Sequence, residues 1–251
     1  MYGAIIGDLA GSIYEFDQTK EIKKVKVDKL INKQSFYSDD TILTIAILDA
    51  IKNDKNYSKY LKQYINKYKD YKPNFSPYFK TIFSSDLIEW ACGDYSNNSI
   101  GNGAMMRISP IGYMFNSEEE IIKNARLATI PSHNTKQSVD CATIIALMIY
   151  YFRNGMSKKE CFLKLHVLPN YEKFEKFNKT CYETINNCLT AIFYSNGFED
   201  AIKKVLLMGG DTDTNACIVG SVAEALYGID EELKYEAEKK LPSEFVKVLK
   251  K

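Results

Sequence analysis

The chain has 251 residues, 45% of them hydrophobic, with 33 Lys and Arg against 32 Asp and Glu and a formal net charge of +1. That length can bury a sizeable core, and the balanced charge gives no basis for a general nucleic-acid or acidic-membrane partner. The six cysteines (Cys92, Cys141, Cys161, Cys181, Cys188 and Cys217) contain no C-x-x-C pair. Neither a zinc site nor a disulfide framework is therefore expected, and buried free thiols in a cytoplasmic protein are. No run of 18 apolar residues is present, so no membrane span is expected. The N-terminus "MYGAIIGDLAGS" carries Asp8 and no basic segment, which makes it a poor signal peptide.

In chain order, residues 3–14 place Gly3, Gly7 and Gly11 four apart among apolar residues. On a helix these glycines form one smooth face for close packing against another helix. Residues 22–30 ("IKKVKVDKL") alternate like a strand or form a charged loop. Residues 40–52 and 57–69 have helical periodicity. Loops at 72–78 and 93–103 are rich in Pro, Asn, Ser and Gly. A helix over 118–128 starts after Ser117 with three glutamates, and the most apolar helix, 137–153, ends at Asn154-Gly155. Further helices are predicted over 157–165, 171–195, 198–207, 214–227 and 231–240. No repeat or linker divides the chain, which reads as one all-helical domain over residues 1–251.

Two acidic clusters open apolar helices: Ser38-Asp39-Asp40-Thr41 before "ILTIAIL", and Asp211-Thr212-Asp213-Thr214 before "NACIVGSVAEAL". Capping is the plain reading, since Asp, Ser and Thr accept hydrogen bonds from free N–H groups at helix starts. A cap needs one side chain, however, and each helix here carries two carboxylates. If both helices pack in one core, four carboxylates crowd together at a cost of about several kcal/mol unless hard cations compensate them. Carboxylates and hydroxyls without His or Cys suit Mg²⁺, Mn²⁺ or Ca²⁺ rather than Zn²⁺. An EF-hand fails: Asp211, Asp213 and Asn215 match its first ligands, but Ala216 stands where Gly is needed and Val222 where Glu is needed. The loop "GNGA" (Gly101, Asn102, Gly103, Ala104) could let backbone N–H groups approach a phosphate, or could be an ordinary Asn-Gly turn.

The segments "GAIIGDLAGSIYEF", "SDDT", "GNGAMMR", "SHNT" and "GGDTDTNACIVGSVAEALYG" occur in an order that resembles the ADP-ribosylglycohydrolase family, from the first residues to about residue 228. The resemblance implies a single all-α orthogonal helical bundle with two Mg²⁺ or Mn²⁺ ions in a central cleft. It implies hydrolysis of the bond joining ADP-ribose to a modified group. By motif position, Ser38, Asp39 and Asp40 would ligate metal from one side and Asp211, Asp213 and Thr214 from the other, with Asp213 bridging. Glu15 would lie near the metals and, with Asp39 and Asp40, handle protons. Gly101, Asn102, Gly103 and Ala104 would approach the ribose and diphosphate, and Ser132-His133 the nucleotide side. His166 has no motif around it and is taken as structural.

The expected partner is ADP-ribose on a modified protein, arginine-linked, rather than nucleic acid or a membrane, and the chain is expected to act as a monomer. O-linked (serine) or nucleobase-linked ADP-ribose, a non-catalytic ADP-ribose binder and a Mg²⁺-dependent phosphohydrolase are the alternatives.

Overall fold

In a computed structural model of the chain, the described residues are 1–19, 21–73, 82–93 and 98–251. Among them, α1 (Tyr2–Gly11) is followed by a one-turn α2 (Glu15–Gln18) and, after an irregular stretch, by α3 (Asp39–Lys52) and α4 (Tyr57–Tyr68). Then come α5 (Ser85–Cys92), α6 (Gly103–Met106), α7 (Ser109–Met114), α8 (Glu118–Thr129) and the long α9 (Lys136–Arg153). α10 (Lys158–Lys164), α11 (Cys181–Tyr194), α12 (Phe198–Met208), α13 (Thr212–Tyr227), α14 (Glu231–Glu238) and α15 (Ser243–Lys250) follow. Strand-like pairing among the described residues is limited to isolated bridges, Asn98 with His133 and Gly101 with Thr180. The fold is all-α, and among the described residues no helix is long and apolar enough to cross a membrane.

The glycine stripe of α1 determines where the site forms. A Cβ added at Gly7 would lie 2.0 Å from the Ala216 carbonyl oxygen, and one at Gly11 would lie 2.3 Å from that of Thr212. Only hydrogen side chains permit this approach, so α1 and α13 meet backbone to backbone. Asp8, on the buried turn between those glycines, is thereby carried to the start of α13. α3 and α9 enclose the same core, with Ile42, Ile45, Ile145 and Ile149 fully buried.

The predicted cap at Ser117 forms, and the structure adds others. Ser117 accepts from the Glu120 N–H, Thr135 from Ser138, and Ser157 and Thr180 complete capping boxes with Glu160 and Glu183. Two boundaries differ. α1 stops at Gly11, where the Tyr14 N–H turns back to the Gly11 carbonyl, and α2 restarts the helix at Glu15. The helix expected over 171–195 begins only at Cys181. Before it, the Asn187 amide bonds both the N–H and the carbonyl of Glu172, which holds 171–180 as a loop. Of the two readings of residues 22–30, the loop is the one that forms: buried Gln18 clasps the N–H and carbonyl of Lys23, and no partner strand is present among the described residues. The helices α5, α6, α7 and α15 were not expected. Parts of both predicted loops, 74–78 and 94–97, lie outside the described residues. All six cysteines are free, five of them buried, whereas Cys92 at the end of α5 is exposed.

Candidate active site

Five parts of the chain converge on one cleft of about 650 Å³. Its walls come from α2 (Glu15), the start of α3 (Asp39, Asp40), the 98–103 loop with Arg107, the α8–α9 turn (His133) and the start of α13 (Asp211, Asp213, Thr214). The rim adds Asp86, Ile100 and Lys179.

At α3, Ser38 does what a cap does: its Oγ accepts from the Asp40 N–H at 3.1 Å. At α13 the expected cap fails. Asp211 occupies the N-cap position without a side-chain cap bond, and its Oδ2 accepts instead from Asn102 Nδ2 at 2.7 Å. The preceding Gly209-Gly210 turn allows this. Both glycines have φ near +75° (75° and 77°), and a Cβ at Gly210 would fall 2.1 Å from Asn178 Oδ1. Asn178 Oδ1 in turn accepts from the Asp211 N–H at 2.8 Å. The two acidic clusters meet directly, since Thr214 Oγ1 donates to Asp40 Oδ2 at 3.3 Å.

Carboxylate oxygens of Asp8, Asp40 and Asp213 lie within 4.8 Å of one another, and so do those of Glu15, Asp211 and Asp213. Asp213 belongs to both groups. Asp8 is fully buried; its Oδ2 accepts from the N–H groups of Ser38 and Thr41 and from the Thr41 hydroxyl. Asp8 Oδ1 and Asp40 Oδ1 are buried with no hydrogen-bond partner. Burial, then the neighbouring carboxylates, pushes Asp39, Asp40, Asp213 and Glu15 well above the usual carboxylate range. Burial raises Asp211 as well. Burial, with Asp213 beside it, pushes Asp8 up to about 7. Five clustered carboxyl groups, four of them buried, with two orphaned oxygens and no ion-pair partner among the described residues, are what hard divalent cations would neutralise. The donor set therefore fits such ions.

The structure brings Glu15, Asp39, Asp40, Asp211, Asp213, Thr214, Gly101, Asn102, Gly103 and His133 to the cleft. Ser38 and Ala104 are buried and do not line it. His166 is exposed, with φ +54°, and is likewise absent from the lining. Asp8, Arg107 and Asn178 were missed as site residues. An aspartate inside an otherwise apolar, glycine-striped helix was the signal for Asp8. Arg107 closes the segment "GNGAMMR" but was assigned no role there, and nothing local marked Asn178.

Carboxylates at two helix starts, facing a glycine loop across a cleft, define an all-α protein built around an acidic centre. The sequence profile of the ADP-ribosylglycohydrolase family matches residues 1–249, and the chain belongs to that family. Members named as relatives include human ADP-ribosylhydrolase ARH3, 21% identical over 91% of this chain and 84% of that protein. ADP-ribosyl-[dinitrogen reductase] glycohydrolase of Rhodospirillum rubrum is 26% identical over 55% of this chain and 49% of its own length. ADP-ribosylarginine hydrolase Tri1 of Pseudomonas putida (strain GB-1) is 25% identical over 55% of this chain and 41% of its own length. The last two alignments thus span about half or less of the relatives' lengths. A solved ADP-ribosylglycohydrolase-related protein complex shares the fold, with a TM-score of 0.69 over 96% of both chains at 18% identity. Family membership supports ADP-ribosyl hydrolase activity.

Proposed function

We propose that the protein hydrolyses the bond between ADP-ribose and an arginine side chain of a modified protein, using two Mg²⁺ or Mn²⁺ ions. The observation that carries this reading is Asp213, shared by two carboxylate triplets beside the Gly101–Gly103 loop. Asp8, Asp40 and Asp213 would hold one ion, and Asp211 and Asp213 the other. Ser38, Asp39 and Thr214 would complete the set. When bound, the ions supply positive charge that offsets the carboxylates and polarises oxygen atoms in the cleft.

The chain's own groups do the rest. Asn102 and the glycines beside it present backbone to the ribose and diphosphate, with His133 on the nucleotide side. Hydrolysis breaks C1″–N and forms C1″–O; the departing guanidine nitrogen gains a proton and the attacking water loses one. Glu15 lies at the cleft and burial favours a proton on its carboxyl, so it is suited to donate the first and accept the second, with Asp39 and Asp40 beside it. The exposed carboxylate of Asp86 lines the same cleft and suits a guanidinium-bearing substrate. The names of the Tri1 and Rhodospirillum relatives also favour arginine-type and protein-linked substrates. The near-zero net charge offers no steering surface for nucleic acid.

The test is a competition between arginine-linked, serine-linked and nucleobase-linked ADP-ribose, compared by kcat/KM. The arginine linkage should win. A preference of more than about tenfold, or ~1.4 kcal/mol, for another linkage would overturn the arginine assignment and leave the hydrolase reading standing.

A further inference from the structure

Arg107 is 1% exposed, yet among the described residues it makes no direct ion pair, and Asp39 acts on it only through space. Its Nη2 donates to Ser132 Oγ and, at 3.4 Å, to the Ala128 carbonyl, while Nε and Nη1 are buried without partners. Ser132 is fully buried, and its Oγ lies 2.8 Å from His133 Nδ1. The opposite edge of the His133 ring faces the glycine loop: a Cβ at Gly101 or Gly103 would stand 3.5 Å from Nε2.

A guanidinium can only donate, so Ser132 must accept from Arg107. The single hydroxyl proton of Ser132 then has His133 Nδ1 as its acceptor. Were Nδ1 protonated instead, the buried Ser132 hydroxyl would accept twice and its own proton would have no acceptor among the described residues, so the neutral ring that satisfies every group carries its proton on Nε2, toward the cleft. We propose that Arg107 is a positioning residue that, through Ser132, fixes His133 as a neutral Nε2–H donor aimed at the Gly101–Gly103 loop. His133 then serves as a permanent hydrogen-bond donor to a ligand oxygen and takes no part in proton transfer. Burial and the Arg107 charge beside it hold the imidazole well below its ordinary pKa, in keeping with a neutral ring. The inference rests on the ADP-ribose reading only for the identity of the oxygen that the donor meets.

The chain has two histidines, so long-range ¹H–¹⁵N spectra of the free protein can read both rings, with His166→Asn assigning the other. At neutral pH, His133 should show protonated Nε2 and bare Nδ1. Ser132→Ala should give a mixture of tautomers and weaken ADP-ribose binding about tenfold by calorimetry, while Ser132→Thr, which keeps the hydroxyl, restores both. Arg107→Lys should retain the tautomer if it folds. A proton on Nδ1 or a doubly protonated ring in the wild type overturns the inference, as does an unchanged tautomer in Ser132→Ala. The ring spectra need no turnover, so a failed hydrolase assay would leave this result readable on its own.

Discussion

Asn102 donates from Nδ2 to Asp211 Oδ2 at 2.7 Å, and this bond joins the glycine loop to the acidic cluster. The loop that would meet the sugar and the carboxylates that would meet the ions are therefore one unit. A hydrogen bond to a charged, buried group contributes about 1.5–3 kcal/mol. Asn102→Ala should weaken ADP-ribose binding by about tenfold or more in calorimetry with metal present. An unchanged Kd would separate loop from cluster.

Metal removal should act through the carboxyls. Each has a folded-state pKa above its ordinary value, so the folded, metal-free protein holds these protons more tightly than the unfolded chain. That contribution to stability is fully present below the ordinary 3.8 and, for Asp8, is lost as pH rises through about 7. Cations replace the lost protons. The Tm gained by adding Mg²⁺ or Mn²⁺ to chelated protein should therefore grow from about pH 5 to 8. A gain that is constant or shrinks over that range contradicts the assignment. Asp213→Asn should lose more of this gain than Asp39→Asn, because Asp213 belongs to both triplets.

Glu15→Gln keeps the side chain's shape and removes its proton chemistry. We expect kcat to fall by about 10²–10⁴, with ADP-ribose affinity held within about a factor of three. Single-turnover rates and calorimetry on the same preparation check the split, and equal turnover would leave Glu15 a helix-end acid.

Gly7→Ala tests how the fold builds the site. The added Cβ would meet the Ala216 carbonyl at 2.0 Å, so α1 must move from α13. Overpacking of this kind costs about 1–3 kcal/mol, and Tm should drop by roughly 5 °C or more. Because α1 carries Asp8, Mn²⁺ affinity should weaken as well. A wild-type Tm and affinity would mean that the backbone contact is not what sets the geometry.

The parts legible in the sequence were those encoded locally. The cap at Ser117, the glycine stripe of α1 and the paired aspartates of α3 and α13 are short-range signals, and each appears where expected. What was not legible depends on distant partners. The 171–180 stretch has helical composition but is held open by the Asn187 amide, from a helix later in the chain. Asn178 reaches Asp211 only because Gly209 and Gly210 turn with positive φ. Asp8 was visible as a charge in an apolar helix, but its partners Thr41 and Asp213 lie 33 and 205 positions away.

The most direct test is product identification after incubating the metal-loaded protein with an ADP-ribosyl-arginine peptide. Mass spectrometry should show intact ADP-ribose and the unmodified peptide, with both lost in Asp213→Asn. AMP with a phosphoribosyl peptide, or an unchanged substrate under full metal loading, would contradict the account.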